Sequence, residues 1–221
     1  MKLSLVRPLV ALNLLTALAW AGAIPSGFAF DDNEAILGNP VVTGAEPWAT
    51  AWGRDFWGRP PSETIGAYRP LAVLGFALEW RLGDGQPWPF HLTNVLLHLL
   101  AVSTLYLLAS RHLSRRAAWA AAAFFAVWCA PSEAVHSIVG RADLLAALLG
   151  LFGLAAYRST RKGAATAATG CFLLALLSKE SALLLPVLWA TVERIASSAR
   201  RATTWSVGRL GGYALAAALY F

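Results

Sequence analysis

Three groups of ionisable residues stand at the margins of otherwise apolar stretches, and each has a chemistry open to it. Asp31 and Asp32 are adjacent carboxylates a few residues beyond the first apolar run. Side by side at a low-dielectric boundary they repel, which raises the pKa of one unless a cation or a metal joins them. A carboxylate so tuned suits a general base that takes the proton of a hydroxyl; an acidic flank at a helix end is the plainer account. In Gly140-Arg141-Ala142-Asp143, Arg141 is a lone base among acidic loops and could grip a phosphate bidentately. Asp143 could equally complement a helix N-terminus. Ser178-Lys179-Glu180 interrupts two apolar runs. Ionisable residues at membrane depth are costly and are usually paired or functional. Lys179 reaching an anionic headgroup is therefore one reading, and a Lys179–Glu180 pair that merely marks a loop tip is the other. His91 and His98, seven positions apart, share a helix face with Asn94, a pattern of hydrogen bonding across helices more than of metal binding. The sequence holds no Gly-rich phosphate loop, nucleophile elbow or zinc-binding repeat.

The elements that must carry these groups follow from composition. Of 221 residues, 57% are apolar and 14% charged, with a mean hydropathy of +0.55. A soluble domain is roughly 45–50% apolar and about 25% charged, so this chain has too few charges to cover a wet surface. Cys129 and Cys171 both lie in apolar runs, which excludes a disulfide scaffold or a cysteine zinc site. The net charge of +6 is not a nucleic-acid signal. The bases fall in short clusters: Lys2 and Arg7; Arg111, Arg115 and Arg116; Arg158, Arg161 and Lys162; Arg194, Arg200 and Arg201. Eight of the twelve acids lie between the first two apolar spans, Glu133, Asp143 and Glu180 fall in other gaps that contain no basic cluster, and only Glu193 joins a basic cluster. Basic and acidic gaps alternate, as they do in a chain that weaves through a bilayer with its bases inside.

The expected architecture is all-α and polytopic, with about seven spans near residues 3–23, 91–109, 117–130, 144–157, 164–177, 182–192 and 205–221. A hydrocarbon core about 30 Å thick needs roughly 20 residues of helix, so the shorter spans require polar flanks, tilt or local thinning. The fifth and sixth could be one helix kinked at Pro186, but only a hairpin keeps both flanking basic clusters on one side. The first span also has features of a cleavable signal, with Ala21-Gly22-Ala23 as the cleavage site; an uncleaved helix is preferred because the apolar run is long. The chain divides into residues 1–24 (first helix or signal anchor), 25–90 (outer loop) and 91–221 (helical membrane region). The loop is rich in Trp, Pro, Gly and acids, and residues 68–81 read as a helix lying in the interface.

In order along the chain, Phe30-Asp-Asp-Asn-Glu-Ala-Ile-Leu-Gly-Asn-Pro40, Tyr68-Arg-Pro-Leu71, Trp88-Pro-Phe-His-Leu-Thr-Asn-Val-Leu-Leu-His98, Glu133-Ala-Val-His-Ser-Ile-Val-Gly-Arg-Ala-Asp-Leu-Leu145 and Ser178-Lys-Glu180 resemble a known family. It is the transmembrane and tetratricopeptide-repeat O-mannosyltransferase family, whose N-terminal membrane region they match over about residues 25–195. The resemblance implies a GT-C-type glycosyltransferase that moves a sugar from a polyprenyl- or dolichyl-phosphate carrier to a protein or glycan acceptor. It implies Asp31 and Asp32 as the catalytic base and its partner, Arg141 and Lys179 at the donor phosphate, and Asp143 and Glu180 in support. Relatives commonly show His-Pro-x-His-x-Glu in the second outer loop; here it reads Ala130-Pro131-Ser132-Glu133. The sequence assigns no cofactor and leaves a divalent metal open. The family continues with further spans and repeats, so the chain is expected to be a fragment or a short divergent member.

The function expected is sugar transfer at the outer face of a membrane, that of a bacterial inner membrane or, alternatively, of the endoplasmic reticulum. A non-catalytic scaffold or inactive remnant and a lipid-phosphate transporter are the rival readings. The transporter ranks lower because its charges belong at the midplane of paired half-helices.

Overall fold

The computed structural model describes residues 3–129, 131–196 and 207–220. Lys2, Ala130, Arg200, Arg201, Trp205 and Phe221, which enter the charge, motif and span patterns above, lie outside the described residues. The first helices are α1 (Leu3–Trp20), α2 (Pro40–Thr43), α3 (Pro70–Leu82), α4 (Trp88–Ala109) and α5 (Arg115–Val127). They are followed by α6 (Ser132–His136), α7 (Arg141–Tyr157), α8 (Ala164–Leu176), α9 (Leu185–Ala196) and α10 (Val207–Tyr220). Short 3₁₀ segments at Ala21–Ala23, Trp48–Gly53, Ile138–Gly140 and Glu180–Leu184 and one π-helical turn at Asn33–Leu37 lie between them. Among the described residues there is no strand.

Helix starts follow local chemistry. Proline sits in the first turn of α2, α3 and α4, where its missing N–H costs nothing. Asn39 caps α2 by accepting from Val41 N at 3.0 Å, and the Ser114 hydroxyl caps α5 by accepting from Ala117 N at 3.3 Å. A helix does form where one was expected over 68–81: it is α3, Pro70–Leu82.

Among the described residues three helices have the length and apolarity to cross a membrane, at Leu5–Ala23, Trp88–Ala109 and Ile138–Tyr157. The other four expected spans correspond to shorter helices: α5 and α8 have 13 residues each, α9 has 12 and α10 has 14. At 1.5 Å per residue these reach about 20 Å, two thirds of a bilayer core. The chain does reverse between α8 and α9. The Phe172 and Trp189 rings are 6.4 Å apart, where one continuous helix would separate them by about 25 Å.

Helix directions alternate through the bundle. Trp20, ending α1, donates its indole N–H to Ala126 O near the end of α5 at 2.7 Å, and its ring lies edge-on to His98 of α4 and His136 of α6. At the opposite end Trp119 of α5 donates to Pro8 O of α1 at 3.3 Å. Leu12, Val102, Tyr106, Ala118, Ala122 and Ala126 pack where α1, α4 and α5 meet. A second core joins α7, α8, α9 and α10 around Phe172, Trp189 and Tyr213. The long loop is not loose: Ile36, Val41, Val42, Phe56, Val73, Phe76 and Phe90 form a third core that seats it, with α3, on the first turn of α4. Large apolar side chains such as Leu18, Leu100, Phe124, Val187 and Leu215 are left exposed on the helix surfaces, as a lipid-facing belt requires.

Candidate active site

The end of the bundle where α1 and α8 finish and α4 and α7 begin holds a cavity of about 640 Å³. Asp31, Arg69, Glu133, Asp143 and Lys179 line its polar side; Ala101, Phe125, Trp128, Leu144 and Ala147 line its apolar side. The site is thus brought together from the long loop, the start of α3, the α6 segment, the start of α7 and the end of α8.

The two aspartates part company. Asp31 is exposed and faces the cavity. The turn that presents it passes through Phe30, whose φ is +48° and whose side chain is 94% exposed. A left-handed backbone at an aromatic residue is strained by roughly 1–2 kcal/mol. Asp32 is 1% exposed and accepts hydrogen bonds from Val139 N at 3.1 Å and Ala29 N at 3.2 Å. Burial pushes its carboxyl above the ordinary value; those backbone N–H groups and nearby His91 pull the other way and lose. One carboxyl of the pair does carry a raised pKa, but desolvation rather than repulsion by its neighbour is the cause. Asp32 thereby stitches the residue 29–32 turn to the loop before α7.

Lys179 and Asp143 form an ion pair at the cavity, with Nζ 2.6 Å from both carboxylate oxygens. Glu180 is turned away from Lys179 and takes a two-pronged bond from Arg69, Nε at 3.1 Å and Nη2 at 2.8 Å. Burial pushes the Glu180 carboxyl up, but the Arg69 hydrogen bond, its own backbone and the neighbouring cations outweigh that and hold it below the usual value. Leu71 N donates to Leu177 O at 3.3 Å, so the start of α3 is tied to the end of α8 and both cations are carried on one frame.

Arg141 is placed differently from its expected role. Its side chain is 2% exposed and does not line the cavity. It forms an ion pair with Glu79 of α3, donates Nε to Asn94 Oδ1 at 3.0 Å and Nη2 to Phe90 O at 2.7 Å, and lies over the Phe76 ring at 4.8 Å. A guanidinium so enclosed holds α3, α4 and α7 together and presents no free fork to a phosphate. Asn94 extends the clasp by donating to Ser137 O at 2.9 Å. His91 and His98 bond to backbone oxygens, Gly27 O at 3.4 Å and Ala126 O at 3.2 Å. Among the described residues no three His, Cys, Asp or Glu side chains gather as metal ligands.

Sequence reasoning missed Arg69 and Glu79. Arg69 is one of four arginines in the acidic loop, with Arg54, Arg59 and Arg81, and its place inside the Tyr68-Arg-Pro-Leu motif was the signal that could have singled it out. Glu79 is one of many loop acids until α3 is seen to deliver it to a buried arginine.

About two thirds of the chain is similar to proteins named protein O-mannosyl-transferases. It is 41% identical to Tmtc1 of Drosophila melanogaster over 153 residues, 68% of this chain and 18% of that protein. It is 41% identical to Tmtc2 of the same organism over 147 residues, covering 65% and 16%. To TMTC3 of Mus musculus it is 39% identical over 153 residues, covering 68% and 16%. The chain therefore spans less than a fifth of the length of these three relatives, and over that stretch it is homologous to them. No family model matches the chain, and no solved structure does.

Proposed function

We propose that this chain forms the catalytic membrane portion of a glycosyltransferase that moves a sugar, by its relatives' names a mannose, from a polyprenyl- or dolichyl-phosphate carrier to a hydroxyl of a protein acceptor. The observation that carries the reading is the single cavity in which an exposed carboxylate, Asp31, meets the cations Lys179 and Arg69 beside an apolar wall.

Asp31 takes the proton of the acceptor hydroxyl as its oxygen forms the new bond to the anomeric carbon. The bond from that carbon to the carrier phosphate breaks, and its electron pair leaves with the phosphate. Lys179 and Arg69 face that developing charge, and Asp143 and Glu180 hold the two cations in position. The carrier's prenyl chain lies along the apolar wall at Ala101, Phe125 and Leu144, so the sugar arrives from within the membrane and no nucleotide-binding fold is required. Asp32 and Arg141 act by holding the loop, α3 and α7 in register. The cavity opens on the side of the acidic loops, away from the cytoplasm, if the basic ends lie inside. The seven helices α1, α4, α5, α7, α8, α9 and α10 all cross, the shorter ones completed by polar flanks and local thinning.

Transfer from a polyprenyl-phosphate sugar to a serine- or threonine-containing peptide, measured in proteoliposomes, tests this. Asp31→Asn should lower the rate by about 10²–10⁴ and Lys179→Ala by about 10²–10³. Wild-type rates in both variants would overturn the assignment.

A further inference from the structure

At the end of the bundle remote from Asp31 the charge bookkeeping changes. Near the candidate site each of Arg54, Arg59, Arg69, Arg141 and Lys179 is paired with a carboxylate. At the other end Arg111, Arg158, Arg161 and Lys162 pair with no carboxylate among the described residues. Two cavities meet there. One, of about 510 Å³, lies between the second half of α4, α7 and α9; Leu108, Leu154, Leu188 and Trp189 are among its walls, and Arg111, His112 and Arg158 close it. The other, of about 810 Å³, is lined by Arg111, Arg158, Arg161 and Lys162 on the α7–α8 turn. The two share Arg111 and Arg158, and no acid lines either. Nη1 of Arg158 is shielded from solvent and has no hydrogen-bond partner. Burial, and then the charges of Arg158 and Arg111, hold the His112 imidazole below its ordinary value, as a local excess of positive charge would.

Bases at inner helix ends need only be exposed to set topology. An enclosed, unpartnered arginine nitrogen above an apolar cavity is a different object, a charged head site joined to a slot of acyl-chain width. We propose that this end binds one anionic phospholipid. Its phosphate bridges Arg111 and Arg158, with Arg161 and Lys162 at the outer edge, and one acyl chain enters the cavity between α4, α7 and α9. The inference does not depend on the transferase reading, because it concerns the opposite end of the molecule and different residues.

Native mass spectrometry of the protein released from nanodiscs of equal phosphatidylglycerol and phosphatidylcholine tests it. The expected result is one retained phosphatidylglycerol in excess over phosphatidylcholine. Retention should weaken about fivefold for each of Arg111→Gln and Arg158→Gln, while Arg194→Gln, a base outside the cavity, changes nothing. A second measurement keeps the proposal falsifiable should either variant misfold. In the intact protein, phosphatidylglycerol with brominated acyl chains should quench a fluorescence component that Trp189→Phe removes, and brominated phosphatidylcholine should not. Equal retention of the two lipids, equal quenching, or occupation by added polyprenyl phosphate in preference to phosphatidylglycerol would each overturn it.

Discussion

Substituting Asp31 and Asp32 one at a time separates chemistry from support. Asp31 faces the cavity, so Asp31→Asn should leave thermal stability in detergent unchanged while transfer falls. Asp32→Ala strands the N–H groups of Ala29 and Val139, and should cost about 1–3 kcal/mol in stability. The two aspartates also differ in pH response. The folded state raises the Asp32 carboxyl above 3.8, so it holds this proton to higher pH than the unfolded chain does. The associated stability is complete below 3.8 and is lost as pH rises through the folded value. Asp32→Asn removes that loss. Melting wild type and variant in parallel should therefore show the difference shifting in the variant's favour as pH rises above 3.8; a constant difference would contradict the burial. Two neighbouring carboxylates were legible as a pair, but which one faces the cavity was not. That is settled by the backbone of Val139, 107 residues away from Asp32.

At the scale of elements, buried contacts reveal what residue patterns conceal. Arg141 and Glu79 lie 62 positions apart, on α7 and α3, and periodicity within either helix gives no hint of the other. The isolation of Arg141 among acids was legible; that its charge is spent inside the fold was not, because burial is a tertiary property. Glu79→Gln should destabilise the protein by about 3–5 kcal/mol, leaving the guanidinium buried without a counter-charge. The double variant Glu79→Leu/Arg141→Met should recover most of that loss in a thermal shift measurement, since an apolar pair of similar volume is often neutral. Between α7 and α9 the fit is steric: Trp189 lies against Gly153 and donates its N–H to Gly150 O at 2.9 Å. A methyl at Gly153 would collide with the indole, so Gly153→Ala should cost about 1–3 kcal/mol. The apolar runs announced every helix of the bundle and nearly its bounds, and the polar turns at Ser159–Gly163 and Ser178–Lys179 fall in the expected gaps; apolarity alone did not say which of these helices is long enough to cross a bilayer.

Across the whole molecule the two ends differ in charge, in how that charge is satisfied and in what they enclose. Alternation of acidic and basic gaps forecast this polarity, and the Trp20 and Trp119 bonds show which helix ends lie together at each end. In a background lacking Cys129 and Cys171, a membrane-impermeant maleimide applied to one side of sealed vesicles should label either Glu63→Cys or Arg161→Cys, never both. Labelling of both from one side would rule out opposite faces.

The buried Arg141–Glu79 clasp also constrains how the chain is made. In the proposed topology Glu79, made first, crosses with its loop before α7 appears, so a carboxylate is already waiting when the guanidinium enters. A circular permutant that synthesises α3 after α7 would offer Arg141 to the translocon bare. It should stall during insertion or be degraded, although its finished contacts would be identical.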